Sequence, residues 1–271
     1  MFMQGQIEKP KVRSKLRQQL GKEYFCLKEK WRWMSGPEKL AKSRSKTILP
    51  NVLIEHKSVL LRPLKDVEMY LQHNKVVNLS LAIAKIDGVI IKPGETFSIW
   101  QLVGRPSKRK GYLEGMTLHN GKVMKDTGGG LCQLGNLIYW MVLHTPLTVT
   151  KRWRHSYDVF PDVNRTLPFG SGATLSYNYI DLQFKNTTQS AFQLNLWIDD
   201  THLRGAFLSE VPLDVTYQIE ERNHHFQQQW WGGYTRHNEI WRKKIGINSG
   251  EVSEELLTEN HAIMMYNPLL E

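Results

Sequence analysis

DTGGGLCQLGNLIYWMVL, from Asp126 to Leu143, sets three glycines ahead of one of only two cysteines and then runs into an apolar stretch. Glycines before a cysteine let the backbone turn sharply and approach another group closely. The run after Cys132 is long enough for a helix, and Pro146 ends it. A helix starting at Cys132 aims free N–H groups and the positive end of its dipole at the sulfur. That arrangement predicts a thiol with a lowered pKa and N–H groups placed to receive an oxyanion. The competing reading is a small buried hydrophobe beside an apolar helix.

Beyond Leu147 the texture is β. LTVTKRWRHSYDVF, ATLSYNYIDLQFKN and AFQLNLWIDDTHLRGAF read as strands with tight turns, and Asp199-Asp200 marks a hairpin tip. His155 lies at the end of the first run, Asp158 follows it, and Asp181 sits in the second. A thiolate nucleophile needs a base and a group that orients the base. Cys132, His155 and either Asp181 or Asp158 are therefore the candidate catalytic set. A cysteine on a helix, then a histidine and a polar residue on strands, is the order found in papain-like hydrolases, an analogy at the level of fold. Gly129, Gly130 and Gln133 are candidate substrate contacts beside the thiol. Arg105, Arg154 and Arg165 can hold a substrate carboxylate.

Upstream, Asp66 to Lys85 reads as a helix with Val67, Leu71, Asn74, Val77, Leu81 and Ala84 on one face, stopped by Asp87-Gly88. Pro93-Gly94 is a turn between two short β runs, and Asn120-Gly121 is a hairpin signal. Residues 10–45 read as helices, with Val12, Leu16 and Leu20 at four-residue spacing and a break at Gly36-Pro37 where a helix can restart. SEELLTENHAIMMYNPLLE, from Ser253, reads as a short helix and a tail.

The charge is uneven. Residues 1–50 carry 13 Lys/Arg against 4 Asp/Glu, whereas the other 221 residues carry 23 against 22. A basic arm on a nearly neutral body suits an anionic lipid surface or polymer. It matches no groove-reading motif, so nucleic acid is a poor fit. Two cysteines exclude a disulfide framework and a thiol zinc site. His224, His225 and His237 lack a metal-ligand spacing, so no metal or other cofactor is expected. Trp230-Trp231 suits a sugar face or the core. The N-terminus lacks the apolar core of a signal peptide, and no run of about 18 apolar residues occurs. Both features predict a chain in the cytoplasm or on the cytoplasmic membrane face.

KPGETFSIWQLVGRPSKRKGYLEG, GGGLCQLGNLIY, RHSYDVFPD and YIDLQFKNTT, in that order between about Ile83 and Phe207, resemble the VanW family. The resemblance implies a glycopeptide-resistance or cell-wall context, with a peptidoglycan stem peptide or precursor as partner. It also implies a cysteine-dependent acyl transfer of L,D-transpeptidase type, associated with some secreted members. Carried over, the nucleophile falls on Cys132, the histidine on His155 and the strand carboxylate on Asp181. The family's usual CQVSSTLYN-like string is here CQLGNLIYW, which puts Gly135-Asn136 in place of a small polar pair. An extracytoplasmic site belongs to the same context, and a non-catalytic binding module is the alternative. The expected architecture is α+β: a basic helical arm (1–50), a core (51–212) with the Cys132 helix on a mainly antiparallel sheet, and a C-terminal extension (213–271).

Overall fold

The computed structural model describes residues 14–62, 68–119, 121–159, 161 and 166–269. Arg165, Asn120, Asp66, Val67 and Val12 lie outside the described residues. The chain divides into two compact units, the first ending at Pro37 and the second beginning at Glu38. The first contains α1 (Lys15–Ser35), whose N-cap Ser14 accepts a hydrogen bond from the Arg17 N–H.

The second unit contains, in chain order, β1 (Lys39–Leu40), β2 (Asn51–Val59), α2 (Met69–Ile86), β3 (Val89–Ile91), β4 (Glu95–Ser98) and α3 (Ile99–Val103). The β5–β6 hairpin (Glu114–His119, Lys122–Thr127) leads into α4 (Cys132–Val142). β7 (Thr148–Lys151), β8 (Tyr157–Asp158), β9 (Gln183–Lys185), β10 (Phe192–Ile198) and β11 (His202–Ser209) follow. The chain closes with β12 (Val215–Gln228), β13 (Tyr234–Gly246) and β14 (Val252–Met264). The fold is α+β, with mostly antiparallel sheets ordered β2-β11-β10-β3, β1-β4-β9-β7 and β12-β13-β14-β8.

Helices α2 and α4 pack on the β2-β11-β10-β3 sheet. Phe97 of β4 stacks on its cross-strand neighbour Phe184 of β9 at 4.5 Å, and Phe184 meets Phe207 of β11, in the other sheet, edge-on at 5.7 Å. These rings are fully buried, as are Leu79, Ile86, Leu134 and Ile138. Such burial contributes roughly 1.5–3 kcal/mol per side chain.

Three expectations from local sequence need correction. The buried face of α2 carries Leu71, Gln72, Asn78, Leu79, Ala82 and Ile83, while Val77 is exposed. The apolar stripe read from sequence is rotated because Asn78 goes inside for its hydrogen bonds. Its amide donates to the carbonyls of Gly129 (2.9 Å) and Leu113 (3.1 Å) and accepts from the Leu113 N–H (2.8 Å). After Gly36-Pro37 no helix restarts; β1 pairs with β4, and the Ala41 N–H reaches the Thr96 carbonyl.

The stretch after Ser253 is a strand. Its glutamates pair across to β13, Glu254 opposite Lys243 and Glu255 opposite Arg242. Glu254 also binds Arg222 at 2.9 Å. Cross-strand cations settle the conformation of a segment whose composition suits a helix.

Candidate functional site

Cys132 is the first residue of α4, as the sequence predicts, and no side chain caps that helix. The turn before it is glycine for reasons of packing. Gly128 and Gly130 have φ of +80° and +91°. A Cβ on Gly128 would stand 2.6 Å from Pro106, one on Gly129 2.2 Å from the Gly115 backbone, and one on Gly130 2.2 Å from Lys75. The protein itself occupies the space that the missing side chains leave, so Gly129 and Gly130 face Gly115 and Lys75.

Residues 172–175 cross the first turn of α4. The Leu175 N–H donates to Cys132 Sγ at 3.4 Å, and the thiol points back to the Leu175 carbonyl at 3.7 Å. Asn136 Oδ1 accepts the Ala173 N–H at 2.8 Å. Gly135 lets the segment lie close, since a Cβ there would stand 3.0 Å from the Ala173 carbonyl oxygen. The Gly135-Asn136 pair thus seats the strap beside the half-buried Cys132. From behind, Arg152 donates to the carbonyls of Gly172 (2.9 Å) and Gly170, and the Thr174 N–H reaches the Trp153 carbonyl at 2.8 Å.

Burial pushes the Cys132 thiol above its ordinary pKa, against the smaller opposing pull of the N–H groups of Leu175 and Cys132. By accessible surface Cys132 is only half-buried, so the desolvation that opposes the expected lowering is partial.

His155 lies on the irregular link between β7 and β8. Two residues earlier, Trp153 pairs with Thr174, so the link runs beside the strap. Among the described residues the His155 ring makes no hydrogen bond. Burial and then Arg154 lower its pKa, so it is neutral at neutral pH. Asp181, fully buried just before β9, accepts from Ser98 Oγ (2.6 Å), Gln183 Nε2 (2.9 Å) and the N–H groups of Leu182 (2.9 Å) and Trp100 (3.2 Å). It anchors the start of α3 and does not touch His155. Asp158 accepts from Arg236 at 3.3 Å and Tyr266 at 3.0 Å.

Gln133 holds α4 to the end of β2, donating to Ser58 Oγ at 2.9 Å and the Val59 carbonyl at 2.8 Å. The guanidinium of Arg105 stands 5.8 Å from the Tyr177 ring, two residues beyond the strap. Arg154 donates to the His261 carbonyl and lies over Phe169 at 5.6 Å. Its pKa falls to about 10 through burial and Arg152.

Lys75, not foreseen from sequence, donates to the Leu60 carbonyl (2.6 Å) and Gln72 Oε1 (2.7 Å). Its pKa falls to about 8 through burial and then Arg62. A lysine inside a mostly apolar helix signals such a position only once the Gly130 contact is known. Among the described residues no group of three His, Cys, Asp or Glu is arranged to hold a metal ion.

A family model described as VanW-like protein matches residues 74–208, from α2 to β11. The chain is 35% identical over 219 residues to the vancomycin B-type resistance protein VanW of Enterococcus faecalis, covering 80% of this chain and 79% of that one. The chain belongs to the VanW family. A second family relative, the uncharacterized protein YoaR of Bacillus subtilis, is 34% identical over 109 residues, which is 40% of this chain and 34% of YoaR. No solved structure matches. The VanW-like region contains Cys132, His155 and Asp181 and leaves α1 and β12–β14 outside it.

The strap gives a direct prediction. Asn136→Ala removes the acceptor for the Ala173 N–H, at a cost of about 1 kcal/mol of stability. Alkylation of Cys132 by iodoacetamide is expected to speed up several-fold as residues 172–175 loosen. An unchanged rate would show that Asn136 does not hold the strap.

Proposed function

We propose that the chain is an accessory protein of glycopeptide (vancomycin) resistance that binds a peptidoglycan stem peptide or precursor without forming a covalent intermediate. The resistance context rests on the 35% identity over four fifths of the chain to the Enterococcus faecalis protein. The non-covalent reading rests on one observation: the Cys132 thiol is engaged by both backbone groups of Leu175 and its pKa is raised. A nucleophile needs the opposite, a thiolate beside a base. Arg105 beside Tyr177 supplies a cation for a peptide carboxylate next to the strap.

The test is alkylation rate against pH in the Cys26→Ser background, followed by mass spectrometry with stem peptides. Cys132 is expected to react slowly and only above the ordinary thiol pKa of about 8.5. Stem peptide is expected to bind without a mass adduct. An acyl adduct lost in Cys132→Ser would overturn this reading.

A second reading, acyl transfer, draws on the start of α4 at Cys132 and the Leu175 N–H aimed at Sγ. There the thiol adds to a stem-peptide carbonyl, its proton passes to the departing amine, and a second amine or water resolves the thioester. His155 would carry the proton once the strap and its link had shifted.

A further inference from the structure

Helix α1 carries an exposed apolar stripe. Leu16, Leu20, Tyr24, Leu27, Trp31 and Met34 follow one another at spacings of four and three, and all six are between 61% and 87% exposed. At 100° per residue they fall within an arc of about 80° and run about 27 Å along the axis. Arg17 and Lys28 border one side of that arc and Lys30 the other, with Glu23 between Lys30 and the stripe. Residues 15–35 hold six Lys/Arg against two Glu, and residues 1–50 hold 13 against 4. Long basic side chains beside an apolar stripe can reach outward while their stems stay on the apolar side.

We propose that α1 is an in-plane anchor for an anionic lipid surface, with the six-residue stripe in the headgroup boundary and the flanking cations on lipid phosphates. Charge selects this occupant. A second copy of the helix would bring a +4 segment against another +4 segment, with Arg17 and Lys28 along one seam, which disfavours a coiled coil. An anionic membrane complements the same cations and accepts a Trp and a Tyr at its boundary. No described helix is long and apolar enough to cross a membrane, so α1 lies on the surface rather than spanning it.

The test uses the full chain, pelleted with phosphatidylcholine vesicles with and without phosphatidylglycerol, at low and high salt. Binding to the anionic vesicles is expected, with little to the neutral ones and a loss at high salt. Leu20→Glu with Leu27→Glu is expected to weaken binding by at least about tenfold. Both residues are exposed, so the double variant keeps its thermal midpoint and circular dichroism. Equal pelleting of wild type and double variant, or no pelleting with anionic vesicles, overturns the proposal. So does light scattering that shows a dimer of the full chain abolished by the double variant, since the stripe would then join two copies.

Discussion

Gly129→Ala is expected to lower the unfolding free energy by about 3–5 kcal/mol and the thermal midpoint by roughly 10 °C or more. The added Cβ would stand 2.2 Å from both the carbonyl carbon and oxygen of Gly115. Those are backbone atoms of the β5–β6 hairpin, so no rotamer change relieves the clash. The hairpin itself is held, since the Gly128 N–H reaches the Leu113 carbonyl at 2.9 Å and Asn78 grips Leu113 and Gly129. Gly94→Ala is the control. Gly94 has φ of +78° but nothing within 4 Å of its Cβ position, so its cost is conformational alone, about 1 kcal/mol. Urea denaturation of both variants decides the matter. A Gly129→Ala cost no larger than that of Gly94→Ala would mean that the hairpin gives way easily.

The same glycines show what the sequence discloses and what it does not. Local turn chemistry is readable: Gly121 lies in the β5–β6 turn, Asp199 caps the β10–β11 turn, and α4 ends ahead of Pro146. The need for three glycines before Cys132 is also readable, but its cause is not. Gly115 and Lys75 lie 14 and 55 residues away in sequence, and only the fold brings them to the turn. Asn78 rotates the buried face of α2 because a side-chain amide can replace a missing backbone partner, a trade that hydropathy does not register. At the candidate site, a cysteine at a helix start is local and legible. The strap over it comes from residues 172–175, fixed by Asn136 and Arg152 through backbone groups that leave no mark in the sequence. The same strap adds the burial that pushes the Cys132 thiol up, against the lowering expected from the helix start alone.

Asp181→Ala is expected to cost about 3–5 kcal/mol, because it removes the acceptor for four donors in a fully buried place. Asp181→Asn is expected to cost about 1–2 kcal/mol. Its carbonyl still accepts from Trp100 and Leu182, while the Ser98 hydroxyl can rotate and the Gln183 amide can flip to accept from the new NH₂. The two variants separate acceptor loss from charge loss. Burial raises the Asp181 pKa to about 6 from 3.8, and the hydrogen bonds from Ser98, Gln183 and Trp100 only partly offset it. The folded state therefore binds this proton more tightly than the unfolded chain. Its contribution to stability is fully present below about pH 4 and is lost as pH rises through about 6, a change on the order of 3 kcal/mol. The stability of wild type relative to Asp181→Asn should accordingly fall across that window and flatten above it. A difference that stays constant from pH 4 to pH 7 would show that the buried carboxyl keeps its ordinary pKa, and that its four donors together match the cost of desolvation.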